Sequence, residues 1–312
     1  MTMTVLGENV PGKLMASERT QCLVCTGKTF VAYDSDRPDL VRCADCGFVT
    51  VGEEIDSEKV SALYGREYFH GAEYADYVRD RPAIQRNFKA RVETMLRYCG
   101  GGKLLEIGCA YGFFLDLVRD RFDCLGYDRV EAAVAYANQV LGLRAECKDL
   151  LADDSIAQGS LDVVTMWDVI EHLEQPERYL EKAGSLLKEG GYLFLTTGDI
   201  DSWNARWRKD RWRLIKIKSH LHFFSEKTMT RLLERLGLEV LEVSYPGYFR
   251  SIDQMLYNIL VLGKNQPRLY RLLSFFPWKT MAYINLFDIM CVVARRPPVG
   301  THRSFIRPQT AC

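Results

Sequence analysis

The chain has 312 residues, 47% of them hydrophobic, and its 41 basic and 41 acidic side chains cancel to a net charge of zero. That length suits one large domain with a small appendage, and the charge balance removes any overall electrostatic case for nucleic acid, so no nucleic-acid partner is expected. No apolar run reaches the roughly 20 residues that span a bilayer, and the opening Met1-Thr-Met-Thr-Val-Leu-Gly-Glu-Asn-Val10 lacks a basic stretch followed by an apolar core, so a reducing cytoplasm is the expected location.

Residues 1–20 read as a flexible arm and residues 21–55 as a zinc ribbon. Cys22-Leu-Val-Cys25 and Cys43-Ala-Asp-Cys46 are two C-x-x-C knuckles with 17 residues between them, a spacing that lets four thiolates converge on one zinc ion. Four cysteines leave no open coordination position, so the expected role is structural. Cys109, Cys124, Cys147 and Cys291 lie in apolar strand or turn patterns, where cysteine behaves as a small hydrophobe. Residues 56–100 read as a helical cap: an aromatic and acidic stretch from Tyr64 to Tyr77, then an amphipathic helix through Phe88, Val92, Met95 and Leu96. The aromatics either close over a ligand or pack against the core.

From residue 101 strands and helices alternate, the pattern of an α/β doubly wound parallel sheet. Its first unit, Leu104-Leu-Glu-Ile-Gly-Cys-Ala-Tyr-Gly-Phe-Phe-Leu115, is a buried strand running into a glycine turn and then a helix from Phe113. Gly108 and Gly112 bracket a turn where a side chain would keep the backbone from a ligand, with Glu106, Cys109 and Ala110 beside it. Asp128 ends the second strand about 20 residues on, where a carboxylate accepts from ribose hydroxyls. An adenosine-type ligand follows. A dinucleotide fingerprint needs G-x-G-x-x-G, whereas Ala110 takes the middle place and the next glycine comes early, which disfavours a nicotinamide oxidoreductase.

The Glu106-x-Gly108-x-x-x-Gly112 run with Asp128 in register resembles the class I S-adenosylmethionine (SAM) dependent methyltransferases. The resemblance implies a seven-stranded Rossmann-like sheet over residues 101–298 whose final strand enters antiparallel. It also implies an acid, Asp149, with Leu150 beside it, facing the adenine, and Asp168 and Val169 lining the methionine part of the cofactor. The fourth strand delivers Trp167-Asp-Val-Ile-Glu-His172. A hydroxyl acceptor needs alignment and a base, a role that suits His172. The ubiquinone-biosynthesis O-methyltransferases show a similar acid-x-x-Glu-His run, so the resemblance implies magnesium on Asp168, Glu171 and His172; alternatively Glu171 and His172 only cap the next helix.

Residues 199–224 read as a lid in which Trp203, Trp207 and Trp212 interleave with arginines and lysines, either a solvated face or a surface for phosphate or membrane. His220 and His222 close it as secondary base candidates, with His222 assigned to the catalytic set. Residues 246–284 form an apolar helical insert that either covers a greasy acceptor or packs on the sheet, and residues 299–312 a disordered tail. The sequence thus predicts SAM-dependent methylation of a small-molecule, sugar or lipid-linked acceptor, at oxygen in the first reading and at carbon or nitrogen otherwise, with peripheral membrane contact left open. A zinc-ribbon nucleic-acid module is the reading of another class, disfavoured by neutral charge. No oligomeric state follows.

Overall fold

Three short antiparallel strands open the computed structural model, which describes residues 21–52, 76–274 and 280–298. They are β1 (Phe30–Ala32), β2 (Leu40–Cys43) and β3 (Val49–Val51). The expectations for the arm, the tail and the aromatic stretch ahead of Asp76 lie outside the described residues, Tyr77 excepted. Next comes α1 (Arg81–Leu96), with Pro82 in its first turn, where a missing N–H costs nothing. Alternation follows through β4 (Gly102–Ile107), α2 (Leu115–Val118), β5 (Phe122–Asp128), α3 (Glu131–Gln139), β6 (Ala145–Cys147), β7 (Leu161–Trp167), α4 (Pro176–Leu186) and β8 (Leu187–Gly198). The remainder comprises α5 (Trp203–Arg208), β9 (His222–Phe223), α6 (Glu226–Arg235), β10 (Glu239–Ser244), β11 (Tyr248–Ser251), α7 (Ile252–Tyr257), α8 (Pro267–Ser274), β12 (Met281–Ile284) and β13 (Ile289–Arg295).

Seven strands form one sheet in the order β10-β13-β8-β7-β4-β5-β6, parallel except for β13, which runs antiparallel to both its neighbours. Leu104, Leu105, Glu106 and Ile107 of β4 are all buried, as are Val163 to Trp167 of β7. Unbroken burial marks strands covered by helices on both faces. Because every parallel strand points the same way, the ends of β4, β5 and β7 meet at one edge, where ligands of open α/β sheets bind. α6 is fixed at its start by a capping box in which Ser225 and Thr228 bond reciprocally.

The sequence expectation differs from the structure at three places. The helix expected from Phe113 is a single turn, α2, with Phe113 and Phe114 buried in the core at its start. The insert is not simply two helices: α7 runs into a π-helical turn over Asn258–Gly263, and a two-stranded sheet of β11 and β12 flanks it. That sheet docks on α1, where the Asn87 amide bonds both the N–H and the carbonyl of Phe249 and Arg86 lies 4.1 Å from the Phe249 ring. Third, β9 at the end of the lid pairs with β3 and completes a four-stranded ribbon sheet, β1-β2-β3-β9. Ribbon and large domain consequently share apolar cores: Leu40, Val49 and Val51 pack with Trp212, Leu214 and Phe223, and Phe48 with Phe224. Among the described residues no helix is long and apolar enough to cross a membrane.

Candidate active site and metal centres

The turn after β4 is built from glycine and from carboxylate bonding. Gly108 has a φ of +74°, and a Cβ there would fall 2.5 Å from Cγ2 of Val169; at Gly112 (φ +76°) it would fall 2.6 Å from Leu143. The N–H groups of Gly108 and Cys109 both donate to the Tyr127 carbonyl, at 2.8 and 3.0 Å. The Ala110 N–H donates to Oδ2 of Asp128 at 2.7 Å, and Val130 N–H to Oδ1 at 2.9 Å. Asp128 thus latches the turn to the end of β5. Burial lifts its carboxyl above the ordinary range, opposed by these backbone bonds. Each carboxylate oxygen keeps a further lone pair for a ribose hydroxyl. With three successive amides engaged by protein acceptors, the turn is no phosphate cradle, which agrees with an adenosine ligand lacking pyrophosphate. Glu106 lies behind it, fully buried, its carboxyl raised well above normal by burial first and the Asp128 charge second.

At the end of β7, Asp168 adopts a φ of +57°. Its Oδ2 takes Nη2 of Arg91 at 2.8 Å and its Oδ1 takes the Thr196 hydroxyl at 2.8 Å. Burial would raise its carboxyl, but the Arg91 guanidinium prevails and holds it below the usual range. A 3-10 turn over Ile170–His172 then turns Glu171 inward, where its Oε2 accepts from the Thr197 hydroxyl at 3.0 Å. Burial, reinforced by the Asp168 charge, raises Glu171 to about 8. Nδ1 of His172 donates to the Ser219 carbonyl at 3.0 Å, which leaves the lone pair on Nε2. Burial lowers this imidazole to about 4. His220 from the lid meets His172 edge to face, ring centroids 4.6 Å apart.

A cavity of about 410 Å³ joins these strand ends. Gly108, Ala110, Asp128, Asp149, Leu150, Asp168, Val169 and His172 line it, whereas Glu106, Cys109, Gly112 and Glu171 are outside its lining. Asp149 accepts from Leu151 N–H at 2.8 Å and from the Tyr179 hydroxyl at 2.7 Å. His222 does not come to the cavity: it is buried in the ribbon sheet, stacked on Phe48 with its Nδ1 2.9 Å from the Thr50 hydroxyl, because β9 pairs with β3. The lid's aromatic pattern also divides, since Trp212 is buried with its indole N–H on Asp288 while Trp203 and Trp207 stack on each other in solvent.

Sequence reasoning missed Arg91, and of the two secondary base candidates it put His222 in the catalytic set, whereas the structure brings His220 to His172. Ile84, Asn87, Phe88 and Arg91 of α1 all line the cavity, and their i, i+3, i+4, i+7 spacing was the available signal. The apolar stripe through Val92 and Met95 had drawn attention to a different face of the helix.

Two metal expectations can be tested against donor sets. In the ribbon, Sγ of Cys22 and Cys46 are 3.7 Å apart and those of Cys25 and Cys43 3.5 Å apart, and all four sulfurs lie within 4.8 Å of one another. Sulfurs bound tetrahedrally at about 2.3 Å from zinc stand about 3.8 Å apart, so this set fits zinc. Magnesium does not fit the second set. It needs octahedral oxygen ligands, but Asp168 is committed to Arg91, and the group that converges with Glu171 and His172 is the nitrogen ligand His220.

Residues 73–243 match a family model described as a methyltransferase domain. Over 170 residues the chain is 25% identical to an uncharacterised protein of Methanocaldococcus jannaschii, covering 54% of this chain and 79% of that one. It is similar to ubiquinone biosynthesis O-methyltransferases of Coxiella burnetii, 28% identical over 103 residues, and of Acinetobacter baumannii, 30% identical over 104. Each match takes in 31% of this chain and 44% of the relative, so the chain spans less than half the length of these O-methyltransferases. Among solved structures, the YcgJ protein of Bacillus subtilis is 12% identical with a TM-score of 0.49, covering 68% of this chain and 98% of that one. A geranyl diphosphate C-methyltransferase of Streptomyces coelicolor is 14% identical with a TM-score of 0.45, covering 67% and 77%.

Proposed function

This chain belongs to the methyltransferase domain family and is a SAM-dependent methyltransferase, and we propose that its cavity transfers the methyl group to a hydroxyl of a small-molecule, sugar or lipid-linked acceptor, with His172 as the base. The carrying observation is the pairing, in one cavity, of the latched turn at Gly108 to Ala110 with a neutral imidazole whose Nδ1 is occupied. Oxygen as the acceptor atom is supported by the likeness to the ubiquinone O-methyltransferases over about a third of the chain.

Asp128 would hold the ribose hydroxyls, Asp149 with Leu150 would flank the adenine, and Asp168 with Val169 would border the methionine end. The cofactor supplies an electrophilic methyl on a sulfonium, an excellent leaving group. What the chain adds is alignment and proton removal. Nε2 of His172 would accept the hydroxyl proton as the oxygen takes the methyl group and the carbon–sulfur bond of the donor breaks, its electron pair staying on sulfur, and the Ser219 carbonyl would hold the resulting imidazolium. Zinc on Cys22, Cys25, Cys43 and Cys46 fixes the ribbon.

The test is transfer of radiolabelled methyl from SAM into a cell extract, split afterwards into organic and aqueous phases. Label in the organic phase identifies a lipid-linked acceptor and label in the aqueous phase a sugar or other polar metabolite. No label in either phase, from protein that binds SAM in a direct assay, would sink the hydroxyl-acceptor reading.

A further inference from the structure

We propose that Glu171, His172 and His220 form a binding site for a divalent first-row transition-metal ion, separate from the four-cysteine centre. One carboxylate oxygen and one ring nitrogen from each histidine lie within 4.8 Å of one another. Two elements far apart in sequence deliver them: Glu171 and His172 sit on the turn after β7, His220 at the end of the lid. Two bonds cross that junction and a third shapes its lid side. Leu221 N–H donates to the Glu171 carbonyl at 2.9 Å, His172 Nδ1 donates to the Ser219 carbonyl, and the His220 N–H donates to the Ile217 carbonyl at 3.1 Å.

The surroundings are those of ligands already oriented. A metal-bound histidine characteristically gives its other ring nitrogen to a backbone carbonyl, and His172 does so to Ser219. The Thr197 hydroxyl steadies the Glu171 carboxylate. Two imidazoles with one carboxylate suit zinc, iron, cobalt or nickel, and are a poor set for magnesium or calcium. Three guanidinium groups lie nearby, each with a partner of its own: Arg91 pairs with Asp168, Arg213 with Asp288, and Arg37 with Asp39 and the His220 carbonyl. The inference goes beyond the proposed transfer reaction, and binding can be read without cofactor or acceptor. It also has a cost for that reaction, because Nε2 of His172 cannot hold a metal and accept a proton together.

The experiment uses the full chain with zinc retained in the ribbon and cobalt(II) chloride as probe. A second equivalent of metal is expected, giving weak visible d–d bands without the intense thiolate charge-transfer absorption of a cysteine site. His220→Asn and Glu171→Gln are expected to weaken cobalt binding by at least about 10-fold while zinc content stays at one per chain, which reports an intact ribbon. Magnesium chloride is expected to leave the cobalt bands unchanged. Absence of a second equivalent in the wild type, or cobalt binding untouched by both substitutions, overturns the site. If the site stands, methyl transfer that falls as cobalt is added supports His172 as the base, whereas transfer that rises assigns its lone pair to the metal.

Discussion

Leu221 donates its backbone N–H to the carbonyl of Glu171 at 2.9 Å, and its own carbonyl receives the N–H of Val51 at 3.0 Å. One residue therefore connects Val51 of β3, five positions beyond Cys46, to the turn that buries Glu171 and presents His172 to the cavity. Cys25→Ser should release zinc, loosen the β3–β9 pairing and lower turnover by about 100-fold, the loss expected when a catalytic group moves by about 1 Å. SAM affinity, set mainly by Asp128 and the Gly108 turn, which lie at the ends of β5 and β4 outside the ribbon sheet, should be largely retained. Metal content, turnover and calorimetric SAM binding on the same sample check this; normal turnover in zinc-free protein would uncouple ribbon from site.

Asp128→Ala should weaken SAM binding by about 1–3 kcal/mol, through lost bonds to ribose and through release of the Ala110 and Val130 amides. Unchanged affinity by calorimetry would put the cofactor elsewhere.

His172→Ala should lower turnover by about 10² to 10⁴-fold with SAM affinity unaltered. Because burial holds this imidazole at about 4, the base stays available well below pH 6, and the acid limb of the turnover profile should lie below the ordinary histidine range. An acid limb near 6.5 would refute the assignment.

Two buried groups give stability opposite pH slopes. His172 falls from 6.5 to about 4, so the unfolded chain binds the extra proton and stability drops as pH falls through that window. Glu171 rises from 4.5 to about 8, so the native state holds the extra proton and stability drops as pH rises from 4.5 to 8. Without added transition metal, Glu171→Gln should gain stability relative to wild type between pH 6 and pH 9, read as a shift in urea midpoint. A difference independent of pH would mean that Glu171 folds already ionised.

Asp288 is 1% exposed and accepts from Asn204 at 2.8 Å, from the Trp212 indole at 2.9 Å and from Arg213 at 3.1 Å. Asp288→Ala strands these donors and should cost about 3 kcal/mol in chemical denaturation. A loss below about 1 kcal/mol would show that water replaces the carboxylate.

The glycine turn and Asp128 were legible because their signals are local: a buried run, a turn that only glycine tolerates and an acid at a fixed distance. The sheet followed from the alternation of elements. His220 and His222 show where this fails. A regular strand would point residues two apart to the same face, but the bond from His220 N–H to Ile217 precedes the strand with a turn and separates them. His222 then goes to the ribbon and His220 to His172, an outcome fixed by pairing with β3 more than 170 positions away. Arg91 was hidden for a related reason, since α1 buries apolar residues on more than one face and only the tertiary arrangement shows which face meets Asp168.

The saturation of the Gly108, Cys109 and Ala110 amides bears on competition inside a cell. Nucleoside triphosphates and dinucleotides outnumber a methyl donor and share its adenosine half, so a site recognising adenosine alone would be filled mostly by them. Here a phosphate would meet amides with no N–H to offer, and Arg91 and Arg129, the guanidinium groups that could attract it, are already paired with Asp168 and Asp149. A sulfonium makes no demand on those amides. Discrimination among adenosine compounds then rests on what the turn withholds as much as on what the carboxylates provide.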